Sequence, residues 1–178
     1  FAQDQYKVNS RLTLNYGIRY EYAQFSQPTV TNPAYPQTAV INQPGKNFAP
    51  RLGVAYTLDK KGKTVLRAGY GIFYARTPGA AIGALFSGNG IVQRPINLQG
   101  SNATSLAAGP IFPNFLPGNG SNLPAGSVSL GFAAPDLATP YTQMWDIGIE
   151  REINRSTGIT VSYLASRGVK FYYTRDLN

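Results

Sequence analysis

Successive residues of an extended chain point to opposite sides, so strict alternation commits a stretch to a strand with two unlike faces. LTLNYGIRYEY, residues 12–22, is such a stretch. Leu12, Leu14, Tyr16, Ile18, Tyr20 and Tyr22 share one face, and Thr13, Asn15, Gly17, Arg19 and Glu21 share the other. It is longer than the about five or six residues usual for strands of soluble proteins. The pattern recurs down the chain. Leu52, Val54, Tyr56 and Leu58 oppose Arg51, Gly53, Ala55 and Thr57. Leu66, Ala68, Tyr70, Ile72 and Tyr74 oppose Val65, Arg67, Gly69, Gly71 and Phe73. Trp145, Ile147 and Ile149 oppose Asp146, Gly148 and Glu150. Ile159, Val161, Tyr163 and Ala165 oppose Thr160, Ser162 and Ser166, with Leu164 interrupting the polar side. FAQDQYKV is the poorest match, because Asp4 shares the face of Ala2, Tyr6 and Val8.

The connections alternate as well. Asn9–Ser10–Arg11, Asp59–Lys63 and Asn154–Thr157 have hairpin length and hairpin residues. Between them run residues 26–47, with four prolines, and residues 75–140, rich in Gly, Pro, Asn and Ser. A connection of that second length argues against a compact soluble domain. It is ordinary in outer-membrane β-barrels, whose turns are short on one side and long on the other. Such barrels cross with strands of about 9–11 residues and alternate apolar residues toward lipid with polar ones toward the lumen. The expected fold is therefore all-β: one barrel segment over 1–178, with antiparallel up-and-down hairpins at 1–25, 48–74 and 141–167, about six strands in all, and long loops at 26–47 and 75–140. Soluble sandwiches also alternate. The strand lengths and the rings on the apolar face (Tyr16, Tyr20, Tyr22, Tyr56, Tyr70, Tyr74, Trp145 and Tyr163) favour lipid, since an amphipathic ring suits a boundary between water and hydrocarbon.

Composition closes off most chemistry. The 178 residues include no Cys and no His, which removes thiolate catalysis, disulfides and the commonest general base and metal ligand. No enzyme activity, cofactor or metal is expected. No apolar run is long enough for a transmembrane helix and no signal peptide opens the chain. The start at Phe1 rather than Met suggests a mature or excised piece. The net charge of +8 is spread out, and the cluster Lys60, Lys61 and Lys63 reads as a solvated turn rather than a nucleic-acid patch.

On the polar face, Arg19, Glu21, Arg51, Arg67, Asp146, Glu150 and Glu152 would look into the lumen. Cross-strand ion pairs that hold register are the plain reading, and a polar track for a plug or substrate is the sharper one. Gly69 and Gly71 form a GxG, but no helix pattern follows, so a nucleotide site is not expected. Glu150 and Glu152 resemble a carboxylate pair, yet nothing around them marks a pocket. Asn102–Ala103–Thr104 fits a glycosylation sequon but weighs little in a chain of bacterial type, and the Pro/Gly/Asn richness of 75–140 is compatible with disorder.

Read together, FAQDQYKV, NYGIRYE, FAPRLG, RAGYGIFY and ASRG resemble TonB-dependent outer-membrane receptors, nearest to the Oar-like group of acidobacterial type. The matching residues are Phe1, Gln3, Asp4, Tyr6, Lys7 and Val8, then Asn15, Gly17, Ile18, Arg19, Tyr20 and Glu21, then Phe48–Gly53, Arg67–Tyr74 and Ala165–Gly168, with Ala165 where the family has Gly. The resemblance covers nearly the whole chain except the longer loop. It implies a barrel of about 22 strands with a plugged lumen. It also implies an N-terminal energy-coupling box, and a terminal aromatic residue where this chain has Asn178. Since single-chain barrels begin at about eight strands, the chain reads as a segment of a larger receptor. The implied function is energy-coupled uptake of a bulky substrate, or protein export, across the outer membrane of a Gram-negative bacterium. The implied partners are outer-membrane lipid, the inner-membrane energy-coupling complex through the missing N-terminal part, and an unidentified substrate, with no nucleic acid. The alternative is a self-associating extracellular β-assembly, a fibre or adhesin. A secreted carbohydrate-binding sandwich is a third reading that period-two aromatic spacing does not favour.

Overall fold

The computed structural model describes residues 1–93 and 130–177. The sequon at Asn102, the middle of the longer connection and Asn178 lie outside them. The described chain divides into two compact units.

The first unit holds a single sheet of six antiparallel strands in sequence order. They are β1 (Ala2–Lys7), β2 (Leu12–Tyr20), β3 (Phe48–Thr57), β4 (Thr64–Tyr74), β5 (Tyr141–Asn154) and β6 (Thr157–Val169). The all-β, up-and-down architecture agrees with the pattern in the sequence. The sheet is not closed, and β1 and β6 are its edges. β2 stops at Tyr20, so Glu21 and Tyr22 lie beyond it, although the Glu21 N–H still donates to the Asn47 carbonyl at 3.1 Å.

Each short turn is organised by an Asx side chain at its start. Asn9 Oδ1 accepts from the Arg11 and Leu12 N–H groups at 2.8 and 2.9 Å. Asn154 Oδ1 accepts from the Ser156 N–H and hydroxyl, both at 2.9 Å. Asp59 Oδ1 accepts from the Lys63 N–H at 2.9 Å, and Gly62 turns the chain at φ +72°, a conformation that favours glycine.

The register carries the strand tilt. Leu12, Tyr56, Leu66, Ile149 and Val161 form one row across β2–β6. That row stands two residues from the midpoint of the first short turn, five from the second and six from the third. With the turns level, the strands shift by four residues over four strand spacings. At about 3.4 Å per residue and about 4.8 Å between strands, the slope is roughly 35°. Transmembrane barrels tilt their strands by about 35–45°.

The second unit comprises Phe25–Asn42 and the described parts of Pro78–Pro135. It contains a 3₁₀ turn at Pro36–Thr38 and one helix, α1 (Gly79–Ser87), where the sequence pattern shows no helix. Pro78 precedes α1 at φ −60°, and its alanines and leucine are good helix formers. The two long connections are tied together inside this unit. Asn89, fully buried, donates to the Val30 carbonyl at 2.9 Å and accepts from the Ile91 and Val92 N–H groups at 2.9 and 2.8 Å. The Asn32 amide in turn donates to the Asn89 carbonyl at 2.8 Å. Gln27 clasps the Ile41 backbone through both its amide atoms, and Ile41 is 2 % exposed.

Two outcomes follow. Asn89→Ala removes the partner of three half-buried backbone groups, which water can in part replace, so the cost is about 1–2 kcal/mol in all; hydrogen exchange should quicken at Ile91 and Val92 and, through Asn32 and Val30, in the other connection. In the Asp59 turn, the hydrogen bond from Thr64, then that from the Lys63 N–H, hold the carboxyl below its ordinary value. Because the folded value is the lower one, this stabilisation is complete above about pH 4 and disappears as pH falls through the folded value. NMR titration of Asp59 should show the depressed midpoint, and Thr64→Val should return it toward normal.

Candidate functional site

The sheet itself is the candidate site, because its two faces differ in kind. Directly paired residues share a face, so the register sorts every strand residue. One row runs Tyr6–Leu14–Val54–Ala68–Ile147–Tyr163, and the next runs Asp4–Tyr16–Leu52–Tyr70–Trp145–Ala165. The strand aromatics singled out in the sequence, Tyr16, Tyr20, Tyr56, Tyr70, Tyr74, Trp145 and Tyr163, all fall on this apolar face. Tyr22 lies past the strand end and donates to Gln43 Oε1 at 2.8 Å. Asp4, the exception in the first segment, is paired with Tyr16 and accepts from its hydroxyl at 2.9 Å, so the misplaced acid has a local partner.

This face is not a core. Ile147 is 49 % exposed and Tyr163 65 % exposed, and Ala49 and Ile41 are the buried apolar residues among those described. A continuous uncovered apolar surface of this extent marks contact with a membrane or a partner. Height along the strands, counted in residues from the nearest short-turn midpoint, spreads the rings over the length of the face. Tyr6, Tyr56 and Tyr16 stand at four, five and six. Tyr20 and Trp145 stand at ten, Phe48 and Tyr74 at thirteen, and Tyr141 at fourteen. Tyr20 packs on Phe48 with ring centroids 4.9 Å apart, and Tyr74 on Tyr141 at 5.4 Å. The Tyr20 hydroxyl donates to the Gly45 carbonyl at 3.0 Å. Tyr163 and Tyr70 stand between these groups, at eight and nine.

The opposite face carries Arg19, Arg51, Arg67, Asp146, Glu150 and Glu152, with Glu21 just beyond β2. Arg67 Nε donates to Glu150 Oε2 across β4 and β5 at 3.1 Å. Arg19 pairs with Glu21 at 2.6 Å, and Lys63 with Glu152 at 3.6 Å. All three pairs are open to solvent, so each contributes at most about 1 kcal/mol. Glu150 and Glu152 thus each meet a cation rather than act as a carboxylate pair. The Arg51 guanidinium sits 4.7 Å from the centroid of the Phe73 ring. Asp146 makes no ion pair among the described residues and lies against Gly69.

Glycines alternate with these long side chains. Gly17 and Gly71 flank Arg51, Gly148 faces Arg67, and Gly53 and Gly69 sit side by side next to Asp146. Neighbouring side chains use the room they leave: the Phe73 ring lies over Gly71 and the Asp146 carboxylate over Gly69. The sequence marked these glycines as one face but not their pairing, which depends on contacts between strands distant in the chain.

Two residues escaped the sequence reading. Arg151 shares the apolar face with Thr64 and Ile159, and Arg167 shares it with Gln143. Counting in twos from Trp145 reaches Arg151, and from Tyr163 reaches Arg167, so the signal was available in the alternation itself. The described residues hold no cluster of metal-ligating side chains.

The glycines give a test. A Cβ at Gly17 would stand 2.8 Å from the Ala2 carbonyl oxygen and 3.1 Å from the Gln3 Cα, backbone atoms that cannot rotate away. At Gly69 the obstacle is only the Asp146 carboxylate, which can. Gly17→Ala should therefore loosen the β1–β2 pairing and destabilise by about 1–3 kcal/mol, while Gly69→Ala costs less and is relieved by Asp146→Gly; urea unfolding of the four variants in lipid decides.

The family model for an outer membrane beta barrel domain matches residues 1–178. No curated protein and no solved structure matches the chain.

Proposed function

Because the chain belongs to the outer membrane beta barrel domain family, we propose that it forms six strands in the wall of an energy-coupled transporter of TonB-dependent, Oar-like type. The observation that carries the membrane part of this reading is the exposed apolar face, rich in aromatics, on strands tilted by roughly 35°. The transporter part is supported by the motifs FAQDQYKV, NYGIRYE, FAPRLG and RAGYGIFY. On this reading the apolar face meets the lipid of a Gram-negative outer membrane. The charged and glycine-lined face turns to the lumen, where Asp146, Arg51 and the Arg67–Glu150 pair meet water, a plug or the passing substrate. Residues 26–47 and 75–140 contact a bulky nutrient or an exported protein outside the cell. The driving force comes from the inner membrane through a part of the protein outside this chain.

The free edges of β1 and β6 support a second reading, a self-associating extracellular assembly in which edges of separate copies pair. The chain contains no Cys, which makes single-cysteine labels clean reporters. Labels at 145, 147 and 149 should be quenched by lipid-borne quenchers and resist a water-soluble thiol reagent, and labels at 146, 148 and 150 should do the reverse. Uniform reactivity, or filaments in detergent-free negative-stain images, would replace the barrel with the assembly. Cells lacking the inner-membrane energy-coupling complex should lose the transport; transport at full rate in them would leave a barrel of another kind.

A further inference from the structure

Two arginines stand where lipid-facing residues belong. Arg151 extends the apolar face of β5 beyond Ile149, and Arg167 lies on the same face of β6. Both are exposed, and neither has an ion pair or hydrogen bond among the described residues. Their row neighbours offer no carboxylate: Thr64 and Ile159 beside Arg151, Gln143 beside Arg167. The nearby acids Glu150 and Glu152 point to the other face, and Asp4 is four strands away and bonded to Tyr16.

Their heights are informative. Arg151 stands four residues above the short-turn midpoint, level with Tyr6, and Arg167 stands twelve above it, between the heights of Trp145 at ten and Tyr141 at fourteen. The rows between them on β5 and β6, Ile149–Val161, Ile147–Tyr163 and Trp145–Ala165, carry no polar side chain except the Tyr163 hydroxyl and the indole N–H. Eight residues at about 3.4 Å each, tilted by roughly 35°, separate the two guanidinium-bearing rows by about 22 Å. The apolar band of an outer-membrane barrel is about 25 Å tall. An unpartnered charge on this face is tolerated best at the band's borders, where a long side chain reaches the headgroups, whereas Asp4, two residues inside the short-turn border, is partnered by the Tyr16 hydroxyl. A guanidinium is permanently charged, and its fork of donors fits phosphate oxygens.

Resting on the reading that this face meets lipid, we infer that Arg151 and Arg167 bind the phosphates of membrane-lipid headgroups, one at each border. They pin the β5–β6 hairpin at a fixed depth.

The test uses the whole protein that contains this chain, reconstituted in phosphatidylcholine vesicles with a fluorophore on Val161→Cys beside Arg151 or on Ala165→Cys beside Arg167. Quenching is compared for spin-labelled phosphatidylglycerol, whose headgroup phosphate leaves a net negative charge, and spin-labelled phosphatidylcholine, whose charge is balanced. Association near each arginine should favour the anionic lipid by about fivefold. Arg151→Gln should bring the ratio at 161 to unity while leaving 165 unchanged, Arg167→Gln should do the converse, and Arg151→Lys should keep most of the preference at 161. Equal ratios in the parent, or ratios untouched by the glutamines, would overturn the arginine assignment alone. Absence of quenching by every lipid would instead overturn the lipid-facing reading. A preference abolished by excess inorganic phosphate would assign the arginines to a soluble anion and overturn the headgroup proposal.

Discussion

Hydrocarbon offers no water to a backbone N–H or C=O, so a strand that crosses it must hand each of those groups to a neighbouring strand. That requirement makes register the controlling quantity here. A slip of one residue would turn every lipid-compatible side chain toward the charged face. The chain fixes register at its short turns, where Asn9, Asp59 and Asn154 tie down the first donors after each reversal. Arg67 and Glu150 add a cross-strand pair on the polar side. The irregularity between Glu152 and Asn154 confines the one departure from pairing in β5–β6 to the turn, clear of the apolar rows.

The energetics follow from the same constraint. A soluble sheet of this size would draw its stability from a packed interior, whereas here one strand residue, Ala49, is an apolar residue removed from solvent, and Ile41 belongs to the other unit. The exposed ion pairs cannot substitute, since pairs of that kind contribute little. Among the described residues the apolar face stays half exposed, and on the membrane reading hydrocarbon is its stabilising partner. On that reading position on a strand has two coordinates: parity decides which medium a residue meets, and height decides whether it meets the middle or the border of that medium.

Parity was legible in the sequence, because it needs only a count from one reference residue; Tyr16, Arg51 and Asp146 could all be sorted that way. The turns were legible because Asn, Asp and Gly do there what their short side chains and freedom at positive φ allow. Height was not legible, since the tilt emerges only when the midpoints of separate hairpins are compared through a register of long-range pairs. Arg151 and Arg167 could be sorted by parity as well, but parity alone makes them look misplaced, and height makes them sensible. Helix α1 was hidden by the glycines and prolines around it, and the burial of Asn89 depends on a segment about 60 positions earlier. The end of β2 at Tyr20 was blurred because the alternation continues through Tyr22 after the ladder stops.

The Asn89 linkage has an evolutionary consequence. Long connections are ordinarily the regions of a barrel freest to drift, gaining and losing residues as ligands change. Here Val30 and Asn32 in one connection, and Asn89, Ile91 and Val92 in the other, share a single hydrogen-bond set. Insertions can accumulate on either side of these anchors, but the spacing within each anchor is held by the other. A change of spacing at either anchor therefore costs the other connection its hydrogen bonds.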